Sequence, residues 1–246
     1  MVKLNDCIDI ILPNYNSEKY IKQTIKSIIN QEYKHWKLLI IDDCSNNKTK
    51  NILKKFSKNR KIKIFWLKKN RGAGFSRNYA LKRSKSPFVA FIDSDDLWKK
   101  NKLKNQLNFM KKNNFSFTYT NYETFGNKMK KIYNPTKLNY LNFIKNTAIA
   151  TSTMMIKREK IKSIKFTNSK ICEDYYFKCK LLKKVKFAYC LKKNLTKYRI
   201  RDKSLQSNNI RNFYWIWKIN KNYNNLNFFE NFISLFFISL NSIKKY

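Results

Sequence analysis

The first hundred residues alternate between short apolar runs and stretches of helical period. Ile8-Asp9-Ile10-Ile11-Leu12 is nearly all apolar and stops at the turn-forming cluster Pro13-Asn14-Tyr15-Asn16, as a buried strand followed by a turn does. Ser17 and Glu18 offer capping chemistry for a helix over about 20–30, with Ile21, Ile25, Ile28 and Ile29 on one face. The pattern repeats with a strand over 36–41 that ends in Asp42-Asp43-Cys44-Ser45, a helix over 49–57 and a strand over 62–67. Asn70-Arg71-Gly72-Ala73-Gly74 then leads into a helix containing Arg77 and Asn78, and a strand over 88–92 is closed by Asp93-Ser94-Asp95-Asp96. Such alternation predicts a parallel, doubly wound α/β sheet, whose ligands bind beyond the carboxyl ends of the strands. Pro13 to Asn16, Asp42-Asp43, Asn70 to Gly74 and Asp93 to Asp96 all fall on that one edge.

Beyond Trp98 the pattern loosens. It predicts a helix over 102–112, a strand over 115–122, a hairpin or loop over 126–131, a break at Pro135 and a strand over 151–156. Cys172-Glu173-Asp174-Tyr175-Tyr176 opens a helix that continues through Phe177, Leu181 and Leu182, and strands follow near 187–190 and 195–200. From Asn209 the chain is aromatic and basic; 228–243 is apolar around much of its circumference yet contains Glu230, Asn231, Ser234 and Ser239. Two readings of this tail stay open: a helix lying in a membrane interface, or a helical hairpin packed on the domain.

Charge sharpens the picture. The 246 residues carry 54 Lys and Arg against 15 Asp and Glu, a net charge of +39. Nucleic-acid binding, attraction to an anionic membrane and plain Lys/Asn/Ile enrichment would each produce it. The lysines are spread evenly beside abundant Asn and Ile, which favours enrichment first and membrane attraction second. Nucleic-acid binding comes last, since no zinc-finger or RNA-recognition signature is present. Against this background three carboxylates within four residues, Asp93, Asp95 and Asp96, stand out. Gathered at the end of a buried strand they repel one another, and a hard divalent ion shared with substrate phosphates is the usual compensation. A solvated acidic turn capping the next helix is the plainer option.

Two of the three glycines, Gly72 and Gly74, share one loop, where a positive φ or close backbone approach to a ligand is expected. The spacing is neither the dinucleotide fingerprint nor a P-loop. Five scattered cysteines without a CxxC pair suggest reduced thiols in the cytosol. Asp6 and Asp9 interrupt any apolar leader, and no run approaches the roughly 20 apolar residues of a spanning helix. His35 reads as structural. Arg199 and Arg201, with Ser204 and Ser207, form either a diphosphate clamp or a solvated basic loop.

Five segments in register carry a resemblance: Ile-Ile-Leu-Pro-Asn-Tyr-Asn (10–16), Ile-Ile-Asp-Asp-Cys-Ser (40–45), Asn-Arg-Gly-Ala-Gly-Phe-Ser-Arg-Asn (70–78), Phe-Ile-Asp-Ser-Asp-Asp (91–96) and Glu-Asp-Tyr (173–175). In these the chain resembles the family 2 glycosyltransferases, inverting sugar-nucleotide enzymes of the GT-A fold, over roughly residues 7–200, a span with the usual boundary uncertainty. The resemblance implies an α/β, Rossmann-like fold with a mostly parallel central sheet flanked by helices. A catalytic domain would fill 1–208, with a nucleotide-binding half to about 100 and an acceptor half beyond, followed by the helical tail 209–246.

It also implies roles. Pro13, Tyr15 and Glu18 would stand at the nucleotide-pocket entrance, Arg71, Gly72 and Ser94 would touch the nucleotide sugar, and Asp43 would accept a hydrogen bond from uracil. Asp93 and Asp95 match the ends of a DxD motif, Asp95 as the direct ligand of Mn²⁺ or Mg²⁺ and Asp93 toward ribose or metal-bound water, with Asp96 able to substitute or assist. Asp174 matches the catalytic base, with Glu173 beside it; Cys172 stands where many relatives have glycine. The expected donor is a UDP-sugar. The expected acceptor is a glycan or lipid-linked precursor of lipopolysaccharide, capsule or similar surface polysaccharide. The expected location is cytoplasmic, with peripheral contact at the inner face of the cytoplasmic membrane left open. A basic nucleic-acid-binding protein and a sugar-nucleotide-binding relative without turnover are the competing readings.

Overall fold

The computed structural model describes residues 6–167, 169, 171–201 and 209–245. Its first strand, β1 (Ile8–Asn14), is buried along its whole length and pairs in parallel with β2 (Trp36–Asp42) on one side and β4 (Phe88–Phe91) on the other. β3 (Ile62–Trp66) extends the parallel array beyond β2. The crossovers are α1 (Ile21–Ile29), α2 (Asn47–Lys54) and α3 (Gly72–Arg83). Strands buried on both faces must be apolar nearly throughout, which is why these runs lack a clean alternation. Ile8, Ile10 and Leu12 face Ile21, Ile25 and Ile28 of α1. Ile11, Leu39 and Phe91 face the other way, toward Ala80 of α3 and Phe177 and Leu181 of α6 (Glu173–Val185).

Asp9 interrupts the apolar run for a structural reason. Its buried carboxylate accepts hydrogen bonds from Ser84 Oγ (2.8 Å), Lys85 N (2.7 Å), Ser86 N (2.9 Å) and Ser86 Oγ (2.8 Å). One carboxylate thereby fixes the turn between α3 and β4.

The second half adds β5 (Leu97–Trp98), β6 (Phe117–Gly126), β7 (Lys131–Ile132), β8 (Lys137–Leu138), β9 (Met155–Lys157) and β10 (Ala188–Ile200) to the same sheet. The order is β3-β2-β1-β4-β9-β6-β10-β5, with β7 on β6 and β8 on β10. β9 is antiparallel to both β4 and β6, whereas β6 and β10 are parallel. Several expectations shift here. The strand expected over 115–122 runs from Phe117 to Gly126, where φ is +94°, and β7 returns antiparallel on it, so the ambiguous 126–131 segment is a hairpin. The strand expected over 151–156 begins as a 3₁₀ turn (Thr151–Thr153). The two strands expected near 187–200 are one, β10, with register shifts around Asn194. The helix expected after Gly74 already starts at Gly72.

α4 (Lys102–Lys112) packs Leu103, Leu107 and Met110 against the α1 face. Lys102, its first residue, is wholly buried; its Nζ lies 3.8 Å from the Trp98 ring centre and finds no hydrogen-bond partner among the described residues. Burial pushes this amine well below the usual lysine range. A folded-state value below the unfolded one lowers stability at every pH under the unfolded value, and the deficit shrinks as pH rises toward it. Lys102→Met is therefore expected to raise unfolding free energy at neutral pH by about 1–3 kcal/mol, with a smaller gain near pH 10, read by urea titration at both pH values.

The tail forms two helices, α7 (Asn209–Asn222) and α8 (Phe228–Lys245), that pack on each other and on the domain. Ile216, Ile219 and Ile238 join the core cluster below α6. Tyr175 Oη donates to Asn220 Oδ1 (2.8 Å), and Ser234 Oγ donates to the carbonyl of Ile144 (2.7 Å) at the end of α5 (Tyr140–Ile144). No helix among the described residues is long and apolar enough to cross a membrane.

Candidate active site

The site lies on the sheet edge where β1 to β4 end. Asn14, at the tip of β1, donates to Asp42 Oδ1 (2.8 Å), and the other Asp42 oxygen accepts the Ser45 N–H (3.1 Å). Asp42 thus ties two strand ends together and is fully buried. Asp43 turns the other way. Its carboxylate accepts the N–H groups of Arg71 (2.8 Å) and Gly72 (2.7 Å) at the start of α3, and burial pushes its pKa up against those two donors.

The two loop glycines do different work. Gly72 has φ +85° with open space where a side chain would begin. Gly74 is close-packed: an added Cβ would collide with the Thr167 carbonyl oxygen and come 3.1 Å from Glu173 Cγ. Gly74 therefore lets α3 approach the start of α6, which brings the fifth sequence motif to the first four.

Arg77, one turn into α3, joins them electrostatically. It is buried, with Nη2 2.7 Å from Asp93 Oδ1 and Nη1 2.5 Å from Glu173 Oε1. Burial alone would lower its pKa, but the charges of Asp93, Glu173 and Asp174 hold it above the usual range. Asp95 pairs with Arg201 (2.8 Å); burial pushes it up and Arg201 pulls it back, with Asp93 adding to the rise. Asp96 accepts Ser152 Oγ (2.5 Å) and the Arg199 N–H (2.9 Å), so both its oxygens are engaged. Burial and the charges of Asp95 and Asp93 push it well up.

Asp174 sits in the first turn of α6. Its Oδ2 accepts Thr151 Oγ1 (2.6 Å) and Lys178 Nζ (2.5 Å). Burial would raise its pKa, but the charges of Lys178 and Arg77, with those two hydrogen bonds, hold it well below the usual carboxylate range. Cys172, just before α6, has φ +60°, a left-handed conformation that costs a residue with a Cβ about 1–2 kcal/mol. This explains why glycine suits the position. Cys172→Gly is expected to stabilise the fold by about 0.5–1 kcal/mol, the left-handed penalty less the larger chain entropy of glycine. Chemical denaturation of the two proteins reads this difference.

Two cavities of about 440 Å³ each open on this edge. The first is lined by Pro13, Tyr15, Asp43, Gly72, Ser94 and Asp95 among others. The second is lined by Asp174, Lys178, Thr151, Tyr122, Phe143 and residues of the tail. They meet at Asp93, Cys172, Tyr198, Arg199 and Arg201, which line both. Glu18 and Arg71 line neither. The Glu18 carboxylate accepts Thr49 Oγ1 (2.7 Å) on α2, and the Arg71 guanidinium lies 3.7 Å from the Phe75 ring centre. Ser204 and Ser207 lie outside the described residues.

Arg77, Lys178 and Thr151 were not singled out by the sequence as site residues. Arg77 lies inside the 70–78 motif, and Lys178 stands four residues after Asp174, the spacing of a helical ion pair; those were the available signals. Among the described residues, no group of three His, Cys, Asp or Glu side chains could hold a metal by itself. Asp93 and Asp95 nonetheless offer hard oxygen donors on one cavity wall, and their mutual repulsion is eased by any added cation. One or two carboxylates completed by substrate phosphates is the usual donor set for Mg²⁺ or Mn²⁺, so these residues fit such an ion.

This sheet and edge are those of the GT-A glycosyltransferases. The chain matches a crystal structure of S. aureus TarS 1–349 in complex with UDP-GlcNAc at a TM-score of 0.75 and 25% identity, covering 87% of this chain; it spans 65% of that TarS fragment. Mannosyltransferase PcManGT from Pyrobaculum calidifontis, solved with GDP-Man and Mn²⁺, shares the fold at a TM-score of 0.71 and 13% identity, over 96% of this chain and 73% of that one.

Residues 9–176 match the model of glycosyl transferase family 2, and the chain belongs to that family; it is a glycosyltransferase. It is 34% identical over its whole length to TuaG of Bacillus subtilis (strain 168), a glycosyltransferase provisionally assigned to teichuronic acid biosynthesis, covering 99% of that protein. It is 35% identical to WfgD of Escherichia coli, a UDP-Glc:α-D-GlcNAc-diphosphoundecaprenol β-1,3-glucosyltransferase, over 86% of this chain and 84% of that one.

Proposed function

We propose that the protein transfers a sugar from a UDP-sugar to a lipid-linked glycan acceptor with inversion at the anomeric carbon. The observation that carries this reading is the pair of adjoining cavities, with Asp95 on one side of the junction, Asp93 at it and Asp174 on the other. The nucleotide sugar occupies the first cavity, between Pro13, Asp43 and Asp95, and its sugar reaches the junction. The acceptor hydroxyl enters from the second. As its oxygen bonds to the anomeric carbon, Asp174 takes its proton and the bond to the β-phosphate oxygen breaks. Attack from one cavity on a leaving group in the other is a single displacement, and that inverts the centre.

Asp174 suits a base that must be ionised before the acceptor arrives, because Lys178 and Arg77 hold it as a carboxylate. Thr151 fixes which oxygen stays free, since its hydroxyl and Lys178 both engage Oδ2. Arg199 and Arg201 lie where negative charge grows on the departing diphosphate, and preorganised cations there lower the barrier. Asp95 and Asp93 would hold a divalent ion, which when bound supplies further neutralisation of that charge. The named activity of WfgD and the UDP-GlcNAc complex of TarS support the donor class, and the diphosphoundecaprenol acceptor of WfgD supports the acceptor class. An acceptor of that class would bring the protein to a membrane surface.

A panel of UDP-sugars with Mn²⁺ or Mg²⁺, followed by UDP release, tests the reading. Release from at least one donor, abolished by chelator and by Asp95→Ala, is expected. Turnover of GDP-sugars alone would overturn the donor assignment, and full activity in Asp95→Ala would overturn the role of that carboxylate.

A further inference from the structure

We propose that the outward face of α8 is a docking surface for an anionic lipid bilayer, which lays the acceptor cavity against the membrane. The helix is mounted inside out. Three of its polar residues bond to the protein, while Glu230 near its start is exposed: Asn231 Nδ2 donates to the Trp217 carbonyl (3.0 Å), Ser234 Oγ to the Ile144 carbonyl (2.7 Å), and Asn241 Nδ2 to the Lys145 carbonyl (3.0 Å). Its aromatic residues face outward, with Phe228 75%, Phe229 70%, Phe232 56% and Phe236 53% exposed. A helix on a water-facing surface does the reverse. The exposure is also local: nine of the fourteen exposed large apolar side chains among the described residues lie between Ile210 and Leu240. A concentration of that kind marks an interaction surface, whereas singly scattered apolar residues do not.

Charge selects the occupant. Residues 209–246 contain five Lys or Arg and a single acid, Glu230, within a chain of net charge +39. Two copies meeting through this face would bring like charges together, whereas an anionic bilayer attracts them. Lysines border the apolar strip: Lys145 Nζ is 5.5 Å from the Phe237 ring centre, and Lys218 Nζ is 5.3 Å from that of Trp215. An aromatic strip bordered by lysines, on a helix that cannot span, is the composition of an element lying in the headgroup region.

The opposite face of the same hairpin closes the second cavity, through Phe213 and Ile216 of α7 and Ile238 and Asn241 of α8. One element therefore faces the bilayer on one side and the acceptor on the other. A sugar carried on a membrane-anchored lipid would reach Asp174 across this wall. This last step rests on the acceptor class proposed above; the docking itself does not.

Co-sedimentation with phosphatidylglycerol-containing vesicles and with pure phosphatidylcholine vesicles tests the docking on the full chain. The wild type is expected to bind the anionic vesicles preferentially and to be released by salt. The triple variant Phe228→Ser/Phe232→Ser/Phe236→Ser is expected to bind at least ~10-fold more weakly, as loss of buried apolar area requires. These side chains line neither cavity, so the variant should keep the wild-type thermal unfolding and UDP-sugar hydrolysis in water. Equal vesicle binding by variant and wild type, no binding by either, or a wild-type dimer that the variant dissolves would overturn the proposal. Vesicle binding without hydrolysis of any UDP-sugar would leave the docking intact and remove the donor reading.

Discussion

Replacing Asp174 by Asn lowers kcat by about 10²–10⁴-fold, the range for loss of a general base, with little change in nucleotide-sugar affinity. The amide keeps the size of the carboxylate and its hydrogen bond from Thr151, so any loss comes from basicity and not from shape. The Lys178 partner adds a separable signature. With Lys178 in place the carboxyl is held well below its usual range, so protonation of this group leaves the rate untouched across mildly acidic pH. Lys178→Met removes the largest favourable charge and raises the Asp174 pKa. The acid limb of kcat/KM should then move to higher pH, while the plateau rate at alkaline pH is largely kept. A variant whose rate falls equally at every pH would show that Lys178 acts by packing alone.

Arg77→Met has the largest expected effect on stability, about 3–5 kcal/mol, because it leaves buried carboxylates without their cation. Asp93 and Glu173 both pair with this one guanidinium, which has a side-chain exposure of 5%. Asp93 follows β4 and Glu173 opens α6, and both line the first cavity, so their repulsion would also disturb that wall. Lowering the pH protonates Glu173, whose pKa burial pushes up, and should recover part of the loss; Arg77→Lys, with a single nitrogen in place of a fork, should recover less than half. Urea denaturation at two pH values reads both.

The nucleotide-side half of the fold was legible because four successive apolar runs, from Ile8 to Ile92, are interrupted by turns at their carboxyl ends, and three of them (β1, β2 and β4) are buried on both faces. The acceptor side was less so. β5, β7 and β8 are two residues each and α5 is five, too short for any period to declare itself. β10 read as two strands because the exposed Lys192 and Lys193 sit where its register shifts. Among site residues, Pro13, Tyr15, Asp43, Gly72, Asp93, Ser94 and Asp95 share the first cavity, and Asp174 lines the second. Glu18 and Arg71 stand outside because each has a local partner. Arg77 and Lys178 escaped notice because long charged side chains are normally solvated, and only the tertiary fold reveals acids on both sides of Arg77. Cys172 is the reverse case: an unexpected residue in the sequence becomes intelligible once its backbone is seen to be left-handed.

The arrangement of donor and base in adjoining cavities makes a stereochemical claim, and the anomeric configuration of the product tests it most directly. With an α-linked UDP-sugar and its acceptor, proton NMR of the first-formed glycoside should show the β anomer alone. An α-linked product would mean that the sugar is not displaced in a single step from the Asp174 side, and would contradict the account at its centre.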